Sequence, residues 1–254
     1  MSESRRLLIE PIRLKSIKAS TRELQLNSQE IHYLYRVLRL RKGSIINIVD
    51  GLGNLWEAVF QEKKTVLFLT AIDAPIIHIP RTKPKLGLAV VVPKRGFDDI
   101  LRMSCELGID IVQPLNSDRS NPSYIDRQSR WNSIIREAVE QSERLWQPDL
   151  LSQSKATDWL KCCGKRFPIA FAQTRISGLK ELVSWLDNLE DSIEQAWVVI
   201  GPEGGWSASE VSLVESLGLE SVEFSDQILT TSTAAIAATQ IMVGWRRIEL
   251  KNLK

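Results

Sequence analysis

Apolar strands alternate with longer helical patterns from Leu86 to the end of the chain, and this alternation restricts the fold more than any other feature. Two of the strands, near Leu86 and Ala196, are continuously apolar, which is typical of strands buried on both faces. The pattern predicts an α/β fold with a mostly parallel sheet and helices on both sides. The predicted strands are Leu86–Val92, Ile109–Pro114, Pro168–Gln173, Ala196–Ile200 and Ser221–Ser225. The predicted helices are Asp98–Leu107, Arg127–Arg144, Leu179–Leu189, Ser207–Leu217 and Thr233–Leu250.

The first 75 or so residues read mainly as strands. Ile45–Val49 and Leu55–Phe60 flank a loop of turn formers and predict a hairpin, and Thr65–Thr70 predicts a third strand. Helical spacing replaces this pattern in residues 27–40, with Ser28 as the expected N-cap. A small β-barrel with one inserted helix fits this segment. Three prolines then punctuate residues 75–84, so we predict two domains, 1–80 and 85–254.

The composition excludes several classes of protein. The 254 residues are 43% hydrophobic and 25% charged, which is typical of a globular chain and argues against disorder. The longest apolar stretch, Leu86–Pro93, is far shorter than the roughly 18 residues that a membrane helix needs, and no secretory signal is recognisable. Three cysteines and two histidines favour neither a disulfide framework nor a metal cluster. These features predict a cytoplasmic protein that contains no metal.

Positive charge is concentrated near the beginning of the chain. Residues 1–84 carry 14 Lys and Arg against 8 Asp and Glu, whereas the formal net charge of the whole chain is only +2. A predicted helix within this part interleaves tyrosines with four basic residues, Arg36, Arg39, Arg41 and Lys42. Basic groups meet phosphates and aromatic faces stack on bases, so the segment is a candidate RNA-binding surface. The alternative is an amphipathic helix with a solvated basic face.

The sharpest single motif is Val198–Glu210, in which a buried strand leads through Gly201, Gly204 and Gly205 into a helix. These glycines would allow positive φ angles and a close approach of the backbone to a ligand. Ser207 and Glu210 have the spacing of a capping box. The loop lacks the Lys-Ser/Thr of a phosphate-binding loop, which favours a crevice of exposed amides for a flat, weakly charged group. The alternative is a tight turn between strand and helix.

Three further segments carry polar residues that could serve a site. Asp226–Gln240 begins a helix with small residues and four consecutive hydroxyls, which suit close packing and ligand binding equally well. Arg130–Arg144 crowds a helix with charges, and we expect Arg136 and Glu140 to form a solvated ion pair. Asn116–Ser120 is a polar loop after a strand end, where ligands bind in α/β sheets.

Taken in order, these segments resemble the RsmE family of 16S rRNA (uracil-N3)-methyltransferases, within the SPOUT superfamily. The resemblance covers nearly the whole chain. It rests on these matches: His32–Leu40, Lys42-Gly43, Asp50-Gly51, Glu106–Ile109, Pro114–Ser120, Arg130-Trp131, Glu137-Ala138, Glu140–Ser142, Arg144 and Ile200–Ser207.

The resemblance implies an N-terminal PUA-like β-barrel and a C-terminal SPOUT α/β domain with a deep trefoil knot. It implies a homodimer that binds S-adenosylmethionine in the knot. The implied reaction is methylation of N3 of one uridine near the decoding centre of 16S rRNA in the small ribosomal subunit. The implied cofactor-binding residues are Ala172, Gln173, Ile200, Gly201, Pro202, Gly204, Gly205, Ile228, Leu229 and Thr233.

The same resemblance implies catalytic roles for Arg119, Arg144 and Glu203. Either arginine could hold phosphates or stabilise charge that develops on uracil, and Glu203 could act on the sulfonium or on a loop amide. A structural role for Glu203 within its turn is an equal alternative. The sequence does not indicate which group is the base that removes the N3 proton.

The sequence departs from the family pattern in two places, and both departures replace charged side chains that could act in RNA placement or catalysis. The family segment Leu-Arg-x-Glu-Thr-Ala reads Leu229–Ala234 here, with Thr230 and Ser232 in place of Arg and Glu, and Met103 stands where Lys is usual. These changes leave open a second interpretation, a non-catalytic RNA- or ribosome-binding factor on a methyltransferase scaffold. A nucleotide-dependent enzyme is a third interpretation, disfavoured because the glycine loop lacks its lysine.

Overall fold

The computed structural model describes residues 6–61, 64–120 and 127–252, and it divides into two compact units. The first contains residues up to Arg81 together with Arg136–Gln147, and the second contains Thr82–Ile135 and the chain from Pro148 onward. The chain therefore leaves the first unit beside the proline-punctuated segment. The division into domains 1–80 and 85–254 stays a prediction, and it did not anticipate that residues 136–147 cluster with the first unit.

The first unit is built on one mixed sheet whose hydrogen-bonded path runs β1-β3-β4-β5-β2, with β6 paired to β4. The β1–β3 pair is parallel and the remaining pairs are antiparallel. Alternate residues along β4 and β5 point inward, so one face forms a core that includes Trp56, Phe60 and Phe68. The strands are β1 Arg6–Leu8, β2 Glu23–Gln25, β3 Ile45–Val49, β4 Asn54–Phe60, β5 Thr65–Phe68 and β6 Ile77–His78.

The helical part of the first unit differs from its prediction in two ways. Helix α2 begins at Ser28, but its cap is Asn27, whose side chain accepts the Glu30 amide while Glu30 accepts the Asn27 amide. The expectation that Ser28 is the cap was wrong, because Glu30 completes a capping box only with the residue three positions before it. Beyond His32 the chain widens into a π-helical turn, residues 33–37, instead of continuing as an α-helix to Leu40. A short helix α1, Pro11–Lys15, precedes this region.

A largely buried cluster of charges ties residues 136–147 to the strands and α2 of the first unit. Glu140 is 6% exposed and accepts the Leu8 amide at 2.9 Å, and Arg136 bonds both the Leu8 carbonyl and Glu140. Burial raises the pKa of Glu140 to about 7, and the nearby negative charges of Glu137 and Glu30 act in the same direction. The expectation of a solvated Arg136–Glu140 pair was wrong, since the spacing that suits a surface pair also allows a packed one.

The second unit has a wholly parallel sheet in the order β10-β8-β7-β13-β11-β14-β12, with β9 paired to β8. The central strands are buried almost throughout, as their continuous apolar sequences predicted. The strands are β7 Lys85–Val91, β8 Ile111–Asn116, β9 Asp149–Leu150, β10 Ser154–Lys155, β11 Ile169–Ala172, β12 Lys180–Glu181, β13 Gln195–Ile200 and β14 Glu220–Glu223.

The helices of the second unit confirm the predicted alternation, with shifted ends. One helix, α5, was not predicted, although its buried residues Ala156, Trp159 and Leu160 have the spacing of one helix face. The helices are α3 Phe97–Leu107, α4 Gln128–Gln141, α5 Ala156–Cys163, α6 Leu182–Asp187, α7 Ala208–Ser216 and α8 Thr231–Asn252. Residues of α4 from Arg136 onward cluster with the first unit. None of the helices described has the length and apolar character needed to cross a bilayer.

Candidate active site

A cavity of about 410 Å³ lies at the edge of the second unit where three neighbouring parallel strands end. Its volume suits a small organic ligand, and the carboxyl edge of a parallel sheet is where such ligands bind. The lining comes from the segments that follow β11, β13 and β14, from the first turn of α8 and from one arginine after β8. The lining residues are Arg119, Ala172, Gln173, Thr174, Arg175, Ile200, Gly201, Pro202, Glu203, Gly204, Gly205, Trp206, Val211, Phe224, Ser225, Gln227, Ile228, Leu229, Thr231 and Ala234.

The β13–α7 loop forms one wall, and its glycines serve different purposes. A Cβ on Gly201 would lie 2.8 Å from the ring of Trp206, so this glycine makes room for the indole. The indole nitrogen donates to the Ala172 carbonyl at 3.1 Å, and the ring packs against Phe171 with 4.6 Å between centroids. Gly205 has φ +70°, and a Cβ there would meet no atom of the described residues within 4 Å. The expectation of positive φ was wrong for Gly201 and Gly204 and confirmed for Gly205.

The capping box predicted for α7 is present, and its glutamate also holds a second loop. Ser207 accepts the Glu210 amide at 3.2 Å, and Glu210 Oε2 accepts the Ser207 amide at 2.8 Å. The other carboxylate oxygen of Glu210 accepts the amide of Asp118 at 3.1 Å, although Glu210 is completely buried. Ser207 and Ser209 donate to the Asp118 carboxylate, and these two hydrogen bonds hold its pKa below the usual range. The network fixes the loop after β8 to the start of α7.

Arg119 follows directly on that fixed loop. Its guanidinium donates to the Gly204 carbonyl at 2.9 Å, so it bridges the β8 loop and the glycine-rich wall while remaining exposed. Glu203 also belongs to the lining and is also exposed. Of the three residues predicted to be catalytic, these two line the cavity. Arg144 belongs to the first unit and is not among the lining residues.

The segment that leads into α8 and the hydroxyl-rich first turn of that helix form another wall. Thr230 caps α8, because its hydroxyl oxygen accepts the Thr233 amide at 3.3 Å, and the Thr231 hydroxyl donates to the Gly201 carbonyl at 3.1 Å. The Ser232 hydroxyl lies 2.8 Å from where a Cβ on Gly96 would stand, so the two segments approach closely there. The hydroxyls that replace the family Arg and Glu are thus used in capping and packing.

The cavity gathers nine of the ten residues predicted to bind a cofactor, and it leaves Thr233 outside the lining. Several lining residues were not anticipated, chiefly Thr174, Arg175, Trp206 and Phe224. A signal for two of them was available: Thr174 and Arg175 are polar residues directly after the predicted strand 168–173, at the same edge of the sheet. Trp206 directly follows Gly204 and Gly205, but it was not among the predicted cofactor-binding residues.

The basic residues predicted to contact RNA lie in the first unit. Arg36, Arg39, Arg41 and Lys42 are all exposed, within and just after the π-helical turn. Arg39 has φ +52°, a left-handed conformation that is uncommon outside glycine. Tyr35 is 41% exposed and stacks edge-on against Phe60, with 4.9 Å between centroids. Together they present positive charge and an aromatic ring on one short stretch of the surface.

Comparisons with known proteins agree with this architecture. Residues 81–243 match the family model of an RNA methyltransferase domain, and residues 26–69 match that of an RNA methyltransferase PUA domain. Ribosomal RNA small subunit methyltransferase E of Synechocystis is 34% identical over 85% of this chain and 71% of its own length. The protein of that name from Aquifex aeolicus is 25% identical over 83% of this chain and 90% of its own length.

The fold is also that of a solved structure, ribosomal RNA small subunit methyltransferase E from Neisseria gonorrhoeae bound to S-adenosyl methionine. It aligns with a TM-score of 0.76 and 23% identity, over 94% of this chain and 97% of that chain. The two-unit architecture, with a site at the carboxyl edge of a parallel sheet, is that of a PUA-linked RNA methyltransferase. Within that class, the chain belongs to the family of ribosomal RNA small subunit methyltransferase E.

Proposed function

We propose that the protein methylates N3 of a specific uridine near the decoding centre of 16S rRNA, with S-adenosylmethionine as the methyl donor. The observation that carries the proposal is the cavity at the carboxyl edge of the parallel sheet, walled by the glycine-rich β13–α7 loop. That loop is also the segment on which the family resemblance is sharpest. A cytoplasmic location, a homodimer and the trefoil knot belong to the proposal as expectations from the resemblance.

The residues of the cavity fit the methyl donor. Ile200, Pro202, Leu229 and Ala234 supply apolar surface for a flat base. The backbone at Gly205 leaves room for a ligand, because among the described residues no side chain lies within 4 Å of where its Cβ would stand. When bound, S-adenosylmethionine supplies an electrophilic methyl group on a sulfonium. The protein's part is to orient that group and the target nitrogen in line, which can supply much of the rate.

Arg119 is the candidate for stabilising charge on the target base. The N3–H of uracil must lose its proton before the nitrogen can accept a methyl group, and negative charge then spreads onto the two carbonyl oxygens beside N3. Arg119 lines the cavity, and the Glu210–Asp118 network fixes the backbone that carries it. A cation preorganised in this way stabilises developing negative charge without reorganising during the reaction. Arg144 stays a second candidate for the same role.

The basic surface of the first unit is proposed to bind the rRNA backbone. Arg36, Arg39, Arg41 and Lys42 are exposed, and phosphate contacts supply sequence-independent affinity. The target base lies in folded RNA, so it must leave its stack to reach a cavity. Separate surfaces for RNA affinity and for chemistry predict separate kinetic effects when each is altered.

The test is incorporation of tritiated methyl groups into small subunits from a strain that lacks its own enzyme, followed by mass spectrometry of the rRNA. We expect one methylated uridine. Arg119→Ala should lower kcat about 100-fold, because it removes charge stabilisation. Arg36→Gln, Arg39→Gln and Arg41→Gln combined should raise KM for subunits with kcat retained. Arg102→Ala, which removes an exposed arginine from α3, is the matched control.

Two results would overturn parts of this proposal. Wild-type turnover in Arg119→Ala and in Arg144→Ala alike would remove both arginines from catalysis. Binding of S-adenosylmethionine without any methyl incorporation would instead favour a non-catalytic ribosome-binding factor. The observation that supports this second candidate is that Thr230 and Ser232 stand where the family carries Arg and Glu.

A further inference from the structure

Arg175 is a cavity residue to which the proposed reaction gives no role. It lies in the loop that follows β11, between the loops that follow β13 and β14 in the order of the sheet. It was not among the residues that the sequence indicated. It is on the middle loop of the three and in the wall of the cavity.

Charge is sparse in the lining of this cavity. Among the described residues that line it, only Arg119, Arg175 and Glu203 carry a formal charge. Arg119 is engaged with the Gly204 carbonyl, at 2.9 Å. Within residues 6–61, 64–120 and 127–252, by contrast, Arg175 has no hydrogen bond or ion pair. Arg175 is therefore the lining cation whose guanidinium has no partner in the part of the chain that the structure describes.

The backbone of Arg175 is unusual as well. Its φ of +64° is in the left-handed region, which costs conformational energy for any residue except glycine. Such residues occur preferentially at ligand clamps, where surrounding structure holds a side chain in place. An ordinary solvated arginine explains the exposure of the side chain but explains neither the conformation nor the place in the cavity wall.

We propose that Arg175 binds the carboxylate of the amino-acid end of the methyl donor, and that Glu203 accepts its ammonium group. The inference rests on the proposed function, because it requires the donor to occupy this cavity. A guanidinium recognises a carboxylate with two parallel hydrogen bonds, which a solvated lysine or a backbone amide does not reproduce. Glu203, like Arg175, has no hydrogen bond or ion pair among the described residues. These two lining charges thus match the two charges of the amino-acid end, and Arg119 is left for the RNA base.

The test measures calorimetric affinity for three ligands that differ only at this end. S-adenosylhomocysteine carries both the carboxylate and the ammonium, its decarboxylated form carries the ammonium alone, and methylthioadenosine carries neither. Arg175→Gln should lower the affinity for S-adenosylhomocysteine about tenfold, which corresponds to about 1.4 kcal/mol of binding free energy. It should change the affinities for the other two ligands less than twofold. Arg175→Lys should recover part of the loss.

Two controls keep the result interpretable. Arg166→Gln removes an exposed arginine of the same unit that does not line the cavity, and it should bind all three ligands as the wild type does. Unchanged methylthioadenosine binding by Arg175→Gln shows that the cavity remains folded. Glu203→Gln should lower the affinity for both ligands that carry the ammonium and leave the affinity for methylthioadenosine unchanged.

The outcomes separate this inference from the proposed function. If the wild type binds none of the three ligands, the proposed function fails. If the wild type binds them and Arg175→Gln binds S-adenosylhomocysteine equally well, the role of Arg175 is wrong and the proposed function stands. Equal loss for all three ligands would also overturn the inference, because it would mean that the side chain supports the loop without contacting a carboxylate.

Discussion

Each unit contains one helix that begins with a capping box built on a buried glutamate, and the two boxes differ in what else the glutamate holds. In the first unit, the side chains of Asn27 and Glu30 each accept a hydrogen bond from the backbone amide of the other residue. In the second unit, Ser207 and Glu210 do the same. Glu30 is 2% exposed and Glu210 is 0% exposed. Capping boxes are usually surface features, so burial of both glutamates indicates a further partner in each case.

The further partners are of opposite kinds. Glu30 pairs with Arg13 and with Arg136, so its carboxylate neutralises two cations that are themselves largely covered. Glu210 accepts a backbone amide, that of Asp118, and so fixes a loop without any counter-charge. The same sequence signature therefore joins a charged cluster in one unit and positions a loop beside the cavity in the other.

This difference predicts that loss of the glutamate is costlier in the first unit. Glu30→Ala should lower the free energy of unfolding by about 4 kcal/mol, because it leaves Arg13 and Arg136 without their shared anion. Glu210→Ala should lower it by about 3 kcal/mol, because the amides of Asp118 and Ser207 lose their acceptor. Urea unfolding at pH 7 measures both, with the exposed Glu23→Ala and Glu215→Ala as controls. The reverse order would refute this account of the two boxes.

A second prediction uses pH to isolate the charged cluster. Burial raises the pKa of Glu140 in the folded protein to about 7, whereas its ordinary value is 4.5. Because the folded state then binds more protons than the unfolded state, the free energy of unfolding falls as the pH rises from about 4.5 to 7. The fall amounts to about 3 kcal/mol.

Glu140→Gln should abolish that part of the pH dependence. The variant should resemble the wild type at pH 5 and be the more stable of the two at pH 8, since its side chain carries no buried charge. Glu23→Gln, at an exposed position of the first unit that does not contribute to the pKa shift of Glu140, controls for the loss of one negative charge. Parallel pH profiles for the wild type and Glu140→Gln would show that this carboxyl ionises normally in the folded protein.

The smallest expected effect compares the two caps themselves. Asn27→Ala and Ser207→Ala should each cost about 1 kcal/mol, because each removes one acceptor for an orphan amide. Only Ser207→Ala should also raise the pKa of Asp118 toward its ordinary value, because the Ser207 hydroxyl is the main cause of its depression. Carboxyl chemical shifts followed by NMR titration measure this. A normal wild-type titration of Asp118 would contradict the assigned hydrogen bonds.

Local signals were readable from the sequence, and packing between distant segments was not. The Ser207–Glu210 box and the buried strands depend on spacing within a few residues, and the structure confirms them. The burial of Glu140 depends on Leu8, more than 130 positions away. An i,i+4 pair has one pattern whether it faces water or protein, so no periodicity could distinguish the two.

The candidate site divides in the same way. The glycines of residues 201–205 correctly predicted a wall of the cavity, because a residue without a side chain is recognisable from the sequence alone. The role of Gly201 was misjudged, since it depends on where the Trp206 ring packs. Arg175 carried only the weak signal of a polar residue after a strand, and its left-handed backbone has no signature in the side-chain sequence.

Trp206 gives the protein a built-in optical probe. Of the eight tryptophans, it is the one that lines the cavity, with its ring against Phe171 and its indole nitrogen bound to the Ala172 carbonyl. Indole emission responds to changes in neighbouring dipoles and in water access. Occupancy of the cavity should therefore change the intrinsic fluorescence of the unlabelled protein, and Trp206→Phe provides the blank that isolates this signal from the other seven.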